Sequence, residues 1–184
     1  LEAVKVLIEK MHCHVDLADA NGWTGLHYCA KYATPAHRLI ADVLLESGAA
    51  NICTTSKAGE TALHVACKSS QEKHTEVEER KRLRIVRLLL GEGAPKDAAD
   101  HKGRTAVHIA TRNGKLLLCK ELILAGADVL AQDDRGWNAL HIACYFGCKS
   151  LVSMLASLGT VSGELQTMKS LTGKTPAQLC RDHT

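Results

Sequence analysis

The chain has 184 residues, a formal net charge of +3 and only six aromatic side chains. That length can bury a core as one domain or as a linear array, and so small a net charge names no partner. No apolar run approaches the roughly 20 residues a membrane helix needs, and no signal peptide is evident. Eight cysteines without secretory features therefore point to reduced thiols in the cytoplasm or nucleus.

Taken in order, the chain opens on LEAVKVLIEKM (residues 1–11), an apolar helix pattern that starts without a methionine. It is expected to be the second half of an incomplete unit in a piece of something longer. Five tetrapeptides then set a register: Thr24-Gly25-Leu26-His27, Thr61-Ala62-Leu63-His64, Thr105-Ala106-Val107-His108, Asn138-Ala139-Leu140-His141 and Thr175-Pro176-Ala177-Gln178. Each begins two residues after a glycine, at intervals of 37, 44, 33 and 37 residues. A glycine three residues beyond an apolar pair (Leu44-Leu45, Leu89-Leu90, Leu122-Ile123, Leu155-Ala156) closes each unit. The intervals predict a base period of 33, sustained by a unit running from Asp100 to Gln132. The extra residues fall between the helices of the first unit around Ala33-Thr34-Pro35, in SSQEKHTEVEERKRLR of the second, and in the turns before Gly59 and Gly173. Repetition at this period predicts a stacked helical array in which no unit buries its apolar face alone.

The tetrapeptide, its glycine, the small residues after it and the Leu-Leu-x-x-Gly-Ala ending together resemble the ankyrin repeat over nearly the whole chain. The resemblance implies an all-α solenoid, with two antiparallel helices per repeat and a β-hairpin finger at roughly right angles to them. It sets a half-repeat at 1–18, full repeats at 19–55, 56–99, 100–132 and 133–169, and a half-repeat at 170–184. The proline usual after the threonine survives only at Pro176.

Ten histidines invite a metal or catalytic reading. Four of them, His27, His64, His108 and His141, share one position in the motif, where the resemblance implies bonds that hold adjacent turns together. His12-Cys13-His14 has no second donor pair at zinc-finger spacing and reads as a solvated loop. Cys144 stands at a small buried position that Cys67 also fills. No nucleophile–base pair, phosphate-binding glycine loop or carboxylate pair is recognisable, so neither an enzyme nor a bound cofactor is expected. In the insertion, the basic run Arg80 to Arg84 reads as the solvated start of a helix whose buried side is Leu83, Val86 and Leu89-Leu90, with a localisation or anion patch as the alternative.

The concave face that the resemblance implies carries the functional signal. Its 23 positions hold five of the six aromatics and eight of the 23 lysines and arginines, against only Glu60 and Asp134 as acids, a formal +6. Trp23 and Tyr32 stand at one end, and Trp137, Tyr145 and Phe146, beside Arg135, at the other. Lys57, Lys68, Lys102, Arg104 and Arg112 lie between. Aromatics and arginines are the residue types that dominate binding hot spots. The expected function is a non-enzymatic, monomeric protein-interaction module that binds an acidic segment with apolar ends. Alternatives are a methyl-lysine cage of Trp137, Tyr145 and Phe146, a track for single-stranded nucleic acid, which the low net charge disfavours, and a regulatory or targeting appendage of a larger enzyme or channel.

Overall fold

A computed structural model describes residues 6, 14–48, 50–68, 76–158 and 160–181. The helix expected over residues 1–11 lies outside these apart from Val6. The His12-Cys13-His14 cluster lies outside apart from His14, and so do Ser69 to Thr75 of the insertion.

Ten helices are described: α1 (Gly25–Tyr32), α2 (Pro35–Glu46), α3 (Ala62–Cys67), α4 (Glu76–Gly91), α5 (Ala106–Arg112), α6 (Leu116–Leu124), α7 (Ala139–Tyr145), α8 (Lys149–Ala156), α9 (Thr160–Thr167) and α10 (Pro176–Arg181). The helices α1, α3, α5, α7 and α10 each begin on the residue after the Thr or Asn that opens a tetrapeptide. They stack in one row, while α2, α4 and α6 form a second row behind it. The inner row packs closely because small residues line its contacts: Ala30, Ala66, Ala110 and Ala143 are all fully buried. Leu118, Leu122, Leu151 and Leu155 fill the space between the rows. Burying such side chains is the main stabilising contribution, at about 1.5–3 kcal/mol each.

The expected fingers are five-residue turns, and no strand forms among the described residues. Each turn is closed by two backbone bonds, as where Asp100 N donates to Arg104 O and Gly103 N to Asp100 O (both 2.9 Å). One bond then links each finger to the next: Lys57 N to Asn21 O, His101 N to Ala58 O, Asp134 N to Lys102 O and Leu171 N to Arg135 O.

The motif histidines tie helices to fingers. Nδ1 of His27, His64 and His108 accepts from the backbone N–H of the motif threonine at 3.0–3.2 Å, and from that threonine's hydroxyl. Nε2 therefore carries the proton. It donates to the carbonyl just after the next finger's glycine: Glu60 O, Arg104 O and Trp137 O, the last shared with Ala131 O. Burial lowers the pKa of all four histidines, against the raising influence of these carbonyls and nearby carboxylates. At the fourth motif Asn138 replaces threonine. Its Oδ1 lies 2.8 Å from His141 Nδ1, and its Nδ2 donates to Leu165 O at 3.2 Å.

Two expectations need correcting. The residues before Gly173 do not merely lengthen a turn: they form α9, pinned by the fully buried Leu165. In the insertion, the basic run is not wholly solvated. Arg82 is buried beside Ile85, Val86 and Leu89, whereas Leu83 and Leu90 are only partly covered. Its Nη1 donates to Ala66 O (3.2 Å) and its Nη2 to Lys31 O (3.0 Å), so one guanidinium satisfies carbonyls at the ends of α3 and α1.

Candidate functional site: the face of fingers and inner helices

The aspartates at positions 19, 100 and 133 organise this face, each doing two things at once. One carboxylate oxygen brackets the finger: Asp100 Oδ1 accepts from Lys102 N and Arg104 N, and Asp133 Oδ1 from Arg135 N and Trp137 N, all at 2.9–3.0 Å. The other oxygen aims a side chain of the face. Asp100 Oδ2 accepts from Arg104 Nε at 2.8 Å and also from Nη2. Asp133 Oδ2 accepts from Arg135 Nε and Nη2, and Asp19 Oδ2 from the Tyr28 hydroxyl at 2.6 Å. Burial works to raise the pKa of Asp100, but Arg104 and the finger N–H groups outweigh it and hold the carboxyl below its usual range. The second and last fingers use Ser56 and Ser170 as brackets and have no second oxygen to aim with.

All eleven sequence-predicted site residues are described, but they are not equally available. Arg104 is locked between Asp100 and the buried Glu60, and Glu60 is in turn paired with Lys68. Arg135 is paired with Asp133 and covers the Trp137 ring, its Cζ 4.1 Å from the centroid. The +6 counted from sequence omitted Asp19, Asp100 and Asp133, whose carboxylates share this face; including them halves it to +3. Lys57, Lys102 and Arg112 are exposed and carry no ion pair among the described residues.

The two aromatic ends are real clusters. At one, Trp23 meets Tyr28 edge-on at 5.3 Å, Tyr28 stacks on Tyr32 at 6.5 Å, and Lys31 Nζ lies 5.1 Å from the Trp23 ring. Tyr28 therefore belongs to the face, although motif register had excluded it; its bond to Asp19, nine residues away, had no local signal. At the other end Trp137 meets Tyr145 at 4.9 Å, Tyr145 meets Phe146 at 5.1 Å, and the Arg112 guanidinium lies 5.7 Å over Phe146. Both tryptophans are half-buried against the core, while Tyr32, Tyr145 and Phe146 are exposed. With Arg135 and Arg112 over the rings of Trp137 and Phe146, two of the three faces of a methyl-lysine cage are already occupied by the protein's own cations.

Among the cavities that open on this face, two lie along the row of fingers. One, of about 420 Å³, lies by Trp23, Tyr28, Lys31 and Lys57. The other, of about 270 Å³, is central and is lined by Lys102, Arg104, Arg112, Asp133, Asp134 and Arg135. Among the described residues no group of three or more His, Cys, Asp or Glu is placed to hold a metal. No described helix is long and apolar enough to cross a membrane.

A family model of ankyrin repeats in three copies matches residues 1–77 and 74–167. The chain belongs to the ankyrin-repeat family. Similar proteins include rabankyrin-5 of Homo sapiens, 31% identical over 149 residues, which are 78% of this chain and 12% of that protein. The B-cell lymphoma 3 protein homolog of Mus musculus is 32% identical over 167 residues, or 89% of this chain and 33% of that protein. Protein phosphatase 1 regulatory subunit 12A of Mus musculus is 40% identical over 95 residues, 49% of this chain and 9% of that protein. The chain thus spans a third or less of each of these relatives. Ankyrin repeats are protein–protein interaction modules, and that coarse function extends to this chain.

Proposed function

We propose that this ankyrin array works without catalysis, as a monomer, by binding an extended acidic segment of another protein, or of its own parent chain, along the face of fingers and inner helices. The observation that carries the reading is the arrangement of side chains there: two exposed aromatic clusters with unpaired Lys57, Lys102 and Arg112 between them. Helices packed at ~10 Å set the clusters roughly 30 Å apart. An extended peptide of about nine or ten residues covers that distance at ~3.3 Å per residue. Its apolar ends meet Trp23 and Tyr32 on one side and Trp137, Tyr145 and Phe146 on the other, and its acids lie over the central cations. The compartment proposed with this function is a reducing one, cytoplasm or nucleus, where cysteines persist as thiols.

The pairing of Arg104 decides how to test this. A glutamate there would stand against Asp100 and Glu60 and unfold the finger, so Arg104→Glu is uninformative about binding. Panning a random decapeptide library against the full chain, then against a Lys102→Glu, Arg112→Glu variant, is the cleaner experiment. Peptides enriched in Asp and Glu with apolar ends, lost on the variant and weakened by salt, are the expected result. Recovery of peptides without acidic bias, or equal retention by the variant, overturns the reading.

A further inference from the structure

The central cavity is the most constrained part of this face. Arg104 and Arg135 each spend Nε and Nη2 on a finger aspartate, and their Nη1 groups have no hydrogen-bond partner among the described residues. Lys102 and Arg112 line the same cavity without an ion pair of their own. Two fixed guanidiniums and two adaptable cations thus converge on about 270 Å³. Their charge is nearly, but not fully, answered. Asp133 and Asp134 line the cavity and Asp100 backs Arg104, while Glu60 behind it is matched by Lys68, leaving a local surplus of one positive charge.

We propose that this cavity is a carboxylate pocket: it takes one glutamate or aspartate side chain of the partner's acidic segment and prefers it to a phosphorylated residue. The proposal deepens the groove reading above and rests on it. A carboxylate brings one negative charge, which the surplus matches. A phosphoserine brings about −1.5 to −2, and the excess faces Asp133 and Asp134 across the same small space. Asp100 acts as a positioning residue that sets both the direction of Arg104 and the charge of the pocket.

The probes are acetylated decapeptides with leucine at each end and glutamates between, whose central residue is glutamate, glutamine or phosphoserine. They are titrated into the full chain while its backbone amide and arginine Nε–H signals are followed by NMR. The glutamate peptide is expected to bind about tenfold tighter than the glutamine one, the scale of a charge-assisted hydrogen bond. It is also expected to bind tighter than the phosphoserine one and to move the Arg104 and Arg112 signals. Asp100→Asn keeps an oxygen to bracket the finger and removes one negative charge. It should improve phosphoserine binding relative to glutamate by about fivefold, as expected for one charge at short range in a solvated site. A purely structural Asp100 would instead weaken all three peptides alike. Arg112→Gln, on an exposed side chain, should erase the preference for glutamate over glutamine. Phosphoserine binding as tightly as glutamate to the unaltered chain, or a uniform loss in Asp100→Asn, overturns the pocket. Glutamate binding that moves signals only around Lys31 and Lys57 overturns the pocket and leaves the groove reading standing. If no peptide moves any signal on this face, both fail.

Discussion

Acidifying the protein from pH 7 to pH 5.5 should destabilise it before its carboxylates titrate, because the motif histidines are buried in the neutral form. In His27, His64 and His108 the Nδ1 lone pair already accepts from a threonine's N–H and hydroxyl, and Nε2–H already donates to the next finger. A second proton, on Nδ1, would face the threonine's backbone N–H and break that bond, and burial lowers each pKa below the ordinary histidine value. With the folded pKa below the unfolded one, their contribution is complete above about pH 6.5 and is lost as pH falls through 6.5 toward the folded value. Each such group contributes a slope of up to about 1.4 kcal/mol per pH unit, and at most about 1.3 kcal/mol between pH 7 and 5.5. Three together contribute at most about 4 kcal/mol, set against a typical domain stability of 5–15 kcal/mol. His141 is also lowered by burial, but Asn138 Oδ1 at 2.8 Å offers a proton on Nδ1 a partner, so it should add less. Urea unfolding followed by circular dichroism across this range measures the slope. The fifth motif supplies a control, since Gln178 Oε1 accepts from Thr175 N at 2.8 Å in the histidine's place. His64→Gln should therefore reduce the slope by about a third. Stability that stays flat from pH 7 to 5.5, or His27, His64 and His108 titrating near 6.5 in the folded protein, would refute the argument.

Leu165→Ala should cost about 2–5 kcal/mol, read as a lowered midpoint in urea, with peptide binding at the central cavity unchanged, because Leu165 holds α9 rather than the binding face. Gly136→Ala should be destabilising beyond the ~1–2 kcal/mol of a left-handed non-glycine residue, since its Cβ meets Leu171 N at 2.7 Å. Gly147→Ala, also at positive φ but with nothing within 4 Å, should cost only that strain. Thiol labelling of the native protein should modify the exposed Cys53 quickly and spare Cys29 and Cys119, whose thiols burial pushes up to about 11 and about 12, until denaturant is added. Labelling of those two at the rate of Cys53 would contradict the packing of the two helix rows.

Helix starts were legible because the signal is local: a Thr or Asn cap two residues past a glycine. The helix α9 was not, because TVSGELQT has a central glycine and little apolar period, and is ordered by Leu165 and by Asn138 twenty-seven residues away. The aromatic ends of the face were legible from repeat register, and the cations between them likewise. Their availability was not. Whether Arg104 or Lys102 is free depends on where the second oxygen of a finger aspartate points, and composition treats that aspartate only as a turn former. Arg82 shows the same limit, since a run of basic residues does not reveal which one turns inward to meet two helix ends.

Because neighbouring fingers share a single backbone bond, each link is a pivot rather than a rigid plank. A pair of strands joined by several bonds fixes the angle between them, whereas one bond fixes a distance and leaves rotation soft. The row of fingers can fan open or close by small turns at four pivots while the helices behind keep their packing. A segment whose end anchors are a residue closer or farther apart than ideal is then accommodated by curvature, without breaking any contact in the core.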